Sequence, residues 1–266
     1  MTSPIRAYWW NEVPNFGDGL SQQVIARMAG RPVHHAHPVR ADIFGIGSIM
    51  RAVRRGGLAN RSKSQPWVWG TGMLAPMRAD FVANVRFCAV RGPLTIDLLG
   101  IHPDTPTGDP GLLARDLVEV APEPSDRIGL ILHHTQELPE DLAGRVASDG
   151  RFVRIDVGAP DCLDVVRTIA SCRHIMSSSL HGLIVADSLG VPSTWLEGFG
   201  IHRNPTFKFY DYALSVGRDL GRPKPLSAII EIANDLPSRA GGLPYEDSVA
   251  RQAEQLRAAF PQDLVA

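Results

Sequence analysis

The residues best placed to do chemistry lie between His174 and Pro192, in the run HIMSSSLHGLIVADSLGVP. A short strand ends at Ser177–Ser178, and Leu180, Leu183, Ile184 and Leu189 then recur near helical spacing. Ser179 stands at the N-cap, where its hydroxyl can accept from an orphan helix N–H. Gly190 and Pro192 end the helix. His181 therefore falls in the first turn of a helix that starts at a strand's carboxyl end. Unpaired N–H groups and a positive dipole end make such a turn an anion site. The segment Ser179, Leu180 and Gly182 is expected to face that anion. The same dipole is expected to lower the pKa of His181, leaving a neutral imidazole for proton transfer. The blander reading is that the serines only cap and the histidine packs at a loop.

Further candidates are scattered along the chain. Asn15-Phe16-Gly17-Asp18-Gly19 lies between the first strand and the first helix, and its glycines permit a tight turn and close ligand approach. Asp18 either caps the helix or holds a substrate hydroxyl and acts on its proton; spacing leaves both open. Arg91 ends an apolar strand and opens a helix. Its guanidinium can fork onto a carboxylate or phosphate, or be used in a surface salt bridge. His133 and His134 follow a strand and suit a ligand contact. His202, Arg203 and Lys208, in IHRNPTFKFYDY, can supply cations, in a segment that otherwise reads as a solvated loop. Gly45-x-Gly47 and Gly70-x-Gly72 read as tight turns or as backbone cradles, and Asp109 as a turn initiator. His34, His35 and His37 read as a solvated loop, and no metal site is expected.

The elements that must position these residues alternate between strand and helix. In the second half, strands are expected at 127–133, 151–157, 174–177 and 193–196, with helices at 138–147, 162–171 and 180–189. The first half has strands at 5–10, 42–45, 67–70 and 86–90 and helices at 18–28 and 91–99. Two terminal helices are expected at 226–234 and 245–260. Such βαβ units imply parallel sheets. The run VEVAPEPSDR at 118–127 reads as a linker, dividing the chain into an N-terminal α/β lobe at 1–120 and a C-terminal one at 127–266. Two doubly wound lobes place a ligand in the cleft at the carboxyl ends of the strands.

Composition narrows the class. With 266 residues and 44% hydrophobic content the chain can bury a sizeable core. A net charge of −1 does not point to a nucleic-acid partner, so any anion must be held by local groups. Cys88, Cys162 and Cys172 are odd in number and read as buried small hydrophobes. No targeting segment or span of ~20 apolar residues is visible. The expected location is the cytoplasm, with the inner face of the membrane as a working surface.

The motif SSSLHGLIVADSLGVP resembles the C-terminal signature of the polysaccharide pyruvyl transferase family. The resemblance extends through NFGDGLS (15–21), GIGSI (45–49), WGTGM (69–73), VRGPLT (90–95), GDPGLL (108–113) and FKFYDY (207–212), in the family's order. It implies two Rossmann-like lobes facing across a cleft, similar to the two-domain (GT-B-like) glycosyltransferases. It implies phosphoenolpyruvate as donor substrate, no cofactor, and a saccharide diol as acceptor, free or lipid-linked, giving a pyruvate ketal. Many members read Arg-Leu-His where this chain reads Ser179-Leu180-His181; a subgroup resembling the exopolysaccharide ketal-pyruvate transferases also reads Ser-Leu-His. On this reading His181 and Asp18 are catalytic. Ser179, Leu180, Gly182, Arg91, Lys208 and Arg203 hold the donor, and Asn15, His133 and His134 the acceptor. Two facing α/β lobes serve a nucleotide-sugar-dependent glycosyltransferase equally well, and a non-catalytic saccharide-binding relative is the third reading. A serine hydrolase is disfavoured by the lack of G-x-S-x-G.

Overall fold

A computed structural model describes residues 3–59, 65–118, 125–198, 204, 206–237 and 242–266. The first half builds a parallel sheet from β1 (Ile5–Tyr8), β2 (Val33–His35), β3 (Ile43–Phe44), β4 (Trp67–Trp69) and β5 (Arg86–Ala89), in the order β2-β1-β3-β4-β5. Its helices are α1 (Phe16–Ala29), α2 (Met50–Ala59) and α3 (Pro93–Leu99). The second half builds a parallel sheet from β6 (Ile128–Ile131), β7 (Phe152–Arg154), β8 (His174–Ser177) and β9 (Ser193–Trp195), in the order β7-β6-β8-β9. It carries α4 (Glu140–Ser148), α5 (Cys162–Ser171) and α6 (Leu180–Ser188). After it come α7 (Phe207–Ser215), α8 (Ile229–Asp235) and α9 (Glu246–Ala258).

The central strands β6 and β8 are buried at every residue, which explains why they read as short apolar runs without alternation. Helices on both sides of a parallel sheet remove its faces from water. One core joins the two sheets: Ile5, Leu20 and Ile43 of the first belong to the same buried cluster as Val166, Ile175 and Leu183 of the second. The 3-10 segment Pro110–Leu117 packs against both α1 and α6 within that core. The chain's end also crosses back: the Trp69 indole N–H donates to the carbonyl of Leu256 at 2.9 Å and its ring meets Phe260 edge-on at 4.9 Å.

Several elements depart from the sequence reading. His34 and His35 lie on an exposed edge strand, β2, rather than in a loop; the ring of His35 packs against Trp9 at 4.8 Å. Helix α2 is not among the expected elements; its segment, MRAVRRGGLA, buries Met50, Val53, Gly56 and Gly57. The segment 207–215 is helix α7, not a solvated loop; its aromatic residues are buried at Phe209 and Tyr212. Of the expected linker, residues 119–124 lie outside the described residues.

Candidate functional site

The strands of both sheets end toward one cavity of about 560 Å³. The first sheet contributes Tyr8 at the end of β1, Trp10, Asn15 and Asp18 after it, Ser48, Ile49, Arg51 and Ala52 after β3, and Leu74 after β4. The second contributes His133, His134 and Thr135 after β6 and Ser179, Leu180 and His181 after β8. Lys208, from the first turn of α7, completes the lining.

Local capping explains which groups face this space. Helix α1 is capped by Asn15, whose side-chain oxygen accepts from the Gly17 N–H at 3.0 Å. Asp18 is therefore not the cap, and its carboxyl stands in the first turn against the cavity. At α6, Ser179 occupies the N-cap position but its side chain caps nothing. Ser177 does the local bonding instead, donating to the Ser179 carbonyl at 2.8 Å and accepting from the Ser179 N–H at 3.0 Å. Ser178 donates to Gln136 at 2.5 Å and accepts from the His133 N–H at 3.0 Å, so the same strand end also fixes the histidine loop. The rings of His133 and His134 lie 4.1 Å apart, with Trp10 of the other sheet 5.9 Å from His134.

His181 packs over Gly17. A Cβ at residue 17 would stand 2.0 Å from the imidazole Nδ1, so only glycine lets the two helix starts approach this closely. The Nε2 atom is buried and has no partner among the described residues. Burial, and then the charges of Lys208 and Arg91, push the His181 pKa down to about 3. The neutral imidazole expected from the sequence is thus present, with desolvation and two neighbouring cations as its cause. Asp18 is only 8% exposed; burial and Asp109 raise its pKa to about 7, against the pull of Lys208. Burial and Arg91 bring Lys208 down to about 8, with Asp18 opposing. Asp18, His181 and Lys208 thus combine a carboxyl that changes charge near neutrality, a neutral imidazole and a cation.

Two expected donor contacts are placed elsewhere. Arg91 is wholly buried and does not line the cavity: its guanidinium meets Asp211 at 3.0 Å, and Ser48 stands between it and the open space. The salt-bridge alternative is the one realised, inside the molecule rather than on its surface. Gly182 is buried against Ser177 of β8 and does not line the cavity either. Arg203 lies outside the described residues, as does His202. Asp109 is the N-cap of the 3-10 segment, accepting from Gly111 N–H at 2.9 Å, as its turn reading implied.

The sequence reading missed Tyr8, Trp10 and Ser48. The position of Trp10 at the carboxyl end of the first expected strand was the available signal for it, and the G-x-G preceding Ser48 was the one for the serine. Among the described residues, no group of three or more His, Cys, Asp or Glu gathers as metal ligands do.

A family model described as polysaccharide pyruvyl transferase matches residues 15–198, a stretch holding Asn15, Asp18, Arg91 and His181. An uncharacterized protein of Acanthamoeba polyphaga mimivirus is 32% identical over 184 residues, covering 66% of this chain and 63% of its own length. The succinoglycan biosynthesis protein ExoV of Rhizobium meliloti is 28% identical over 213 residues, covering 79% of this chain and 64% of its own. The chain thus spans less than two thirds of either relative. The crystal structure of a functionally uncharacterized protein from Klebsiella pneumoniae aligns with a TM-score of 0.49 at 13% identity, over 84% of this chain and 92% of that one. By the extent of the family match, the chain belongs to the polysaccharide pyruvyl transferase family.

Proposed function

We propose that the protein transfers a pyruvyl group from phosphoenolpyruvate to a saccharide diol, forming a pyruvate ketal. The observation that carries this reading is the meeting of His181, Asp18 and Lys208 at the start of α6, in a cavity between the carboxyl ends of two sheets. Family membership supplies the transfer chemistry, and the donor and acceptor follow from it as part of the proposal.

The reaction moves two protons. One hydroxyl of the diol attacks the central carbon of the donor while the methylene carbon takes a proton and becomes methyl. The second hydroxyl closes the ring as phosphate leaves, and its proton departs with the phosphate. Asp18, held near pH 7, still carries a proton in much of the population and suits delivery to the methylene carbon. His181 is neutral and suits removal of the attacking hydroxyl's proton. A bound donor with carboxylate and phosphate groups favours the imidazolium, so its binding raises the imidazole's affinity for that proton. Lys208 and the uncapped start of α6 suit the donor's anionic groups. The side-chain hydroxyl of Ser179, free of capping, stands where many relatives carry an arginine. The acceptor ring would lie against Trp10, His133 and His134, whose faces suit the C–H face of a sugar.

Phosphate release from phosphoenolpyruvate in the presence of candidate glycans tests the assignment. Stabilisation of the protein by a nucleotide sugar but not by phosphoenolpyruvate, in thermal-shift assays, would overturn it.

A further inference from the structure

Helix α7 brings Lys208 to the cavity although it follows the second sheet in the chain. Residues three apart share a helix face, so Lys208 and Asp211 belong to one side of α7. Asp211 is wholly buried; it accepts from Arg91 Nε at 3.1 Å, from the Thr95 N–H at 3.0 Å and from the Thr95 hydroxyl at 2.7 Å, and stands 3.0 Å from Arg91 Nη2 in an ion pair. Arg91 also donates from Nη1 to the Ser48 hydroxyl at 2.5 Å and from Nη2 to the Met73 carbonyl at 2.6 Å. Two glycines make room for this pair. A Cβ at Gly92 would stand 1.8 Å from the carbonyl oxygen of Asp211, and one at Gly72 would stand 2.4 Å from the guanidinium carbon of Arg91. The second sheet grips the helix elsewhere: Phe209 stacks on Trp195 at 4.6 Å, and the Tyr212 hydroxyl donates to Asp187 at 2.8 Å.

A buried ion pair contributes little net stability, because desolvation offsets the Coulomb attraction. What it supplies is geometry. We propose that Arg91 and Asp211 are positioning residues whose buried pair docks α7 onto the first sheet and sets the place of the Lys208 ammonium, neither side chain touching substrate. The functional side of this inference rests on the proposed role of Lys208 at the donor.

The charged groups acting on Lys208 include Asp18 of α1 and Arg91 ahead of α3, with His181 of α6 beside them and Asp211 one turn along α7; Tyr8, Arg51, His133 and His134 line the same cavity. Arg91→Met removes a cation and leaves Asp211 bare; Asp211→Asn leaves Arg91 uncompensated. If the pair docks α7, either variant frees the helix and wets the lysine, and both raise its pKa toward the ordinary value. If α7 stays docked without the pair, only the local charge changes, and the pKa rises in Arg91→Met and falls in Asp211→Asn. Acylation of the Lys208 amine as a function of pH, read by mass spectrometry on the free protein, measures this without any substrate. Upward shifts in both variants support the proposal, and shifts of opposite sign overturn it. This readout stands even if phosphoenolpyruvate is not the donor.

A milder variant covers a failure of the charge variants to fold. Thr95→Val keeps both charges and removes the hydroxyl bond to Asp211. It should raise the KM for phosphoenolpyruvate several-fold with kcat changed less, and Thr95→Ser should restore it. A parent-like KM in Thr95→Val overturns the proposal.

Discussion

At the scale of single residues, the site works by desolvation. His181, Asp18 and Lys208 all have pKa values moved toward their neutral forms, and burial is the largest cause for each. Removing either proton-handling group, as His181→Ala or Asp18→Asn, should lower turnover by about 10²–10⁴-fold, measured as phosphate release. Parent-like turnover in either variant would remove that residue from the mechanism. Two groups also set the alkaline limb. As pH rises past about 7 Asp18 loses its proton, and past about 8 Lys208 loses its charge, so kcat/KM for phosphoenolpyruvate should fall across that window. Lys208→Arg should leave only the lower step, because guanidinium keeps its charge there. The raised Asp18 pKa is also a stability statement. A carboxyl that binds its proton more tightly in the folded state favours folding at low pH and loses that contribution as pH rises through about 7. Asp18→Asn should therefore melt above the parent at pH 8 and converge with it near pH 4. A difference in melting temperature independent of pH would contradict the burial of the ionised carboxylate.

At the scale of elements, two helix starts meet where the chemistry is placed. Gly17 in the first turn of α1 is covered by the ring of His181 in the first turn of α6. Gly17→Ala improves helix propensity by roughly 1 kcal/mol, yet its Cβ needs the space of the imidazole. The variant should keep its helix content and lose most turnover, as judged by circular dichroism beside the phosphate assay; retained turnover would mean that the ring can move without cost. NFGDGLS and SSSLHG were readable as strand-to-helix junctions, with helix starts expected at 18 and 180; the first helix in fact starts at Phe16. Which serine bonds the turn was not readable, because Ser177, Ser178 and Ser179 are alike in sequence and differ only in how β8 ends. Helix α7 was hidden for another reason. FKFYDYALS buries Asp211 on the side that meets α3, and that carboxylate is satisfied by Arg91 and Thr95, far away in the chain.

At the scale of the whole molecule, the two sheets are joined by more than a crevice. They share one buried cluster, and the C-terminal helix returns to the first sheet. Trp69→Phe removes the indole donor to the Leu256 carbonyl within a buried contact and should cost about 1–3 kcal/mol in denaturant unfolding. An unchanged midpoint would mean that the returning segment is not bound there. No helix among the described residues is long and apolar enough to cross a membrane.

The local pattern alone was enough to mark parallel α/β architecture, the strand-helix junction at His181 and the family; Gly17 and Gly19, expected to form a tight turn, lie inside helix α1. The marked features depend on hydrophobic period, caps and turn residues, which act over a few neighbours. Only the tertiary structure decided that Arg91 points inward to Asp211, that Asn15 rather than Asp18 caps α1, and that Trp10 of one sheet faces His134 of the other. The Asn15 bond is local, and spacing left it open between two near neighbours; the other two turn on which side chains are packed together by distant chain segments, 120 residues apart for Arg91 and Asp211.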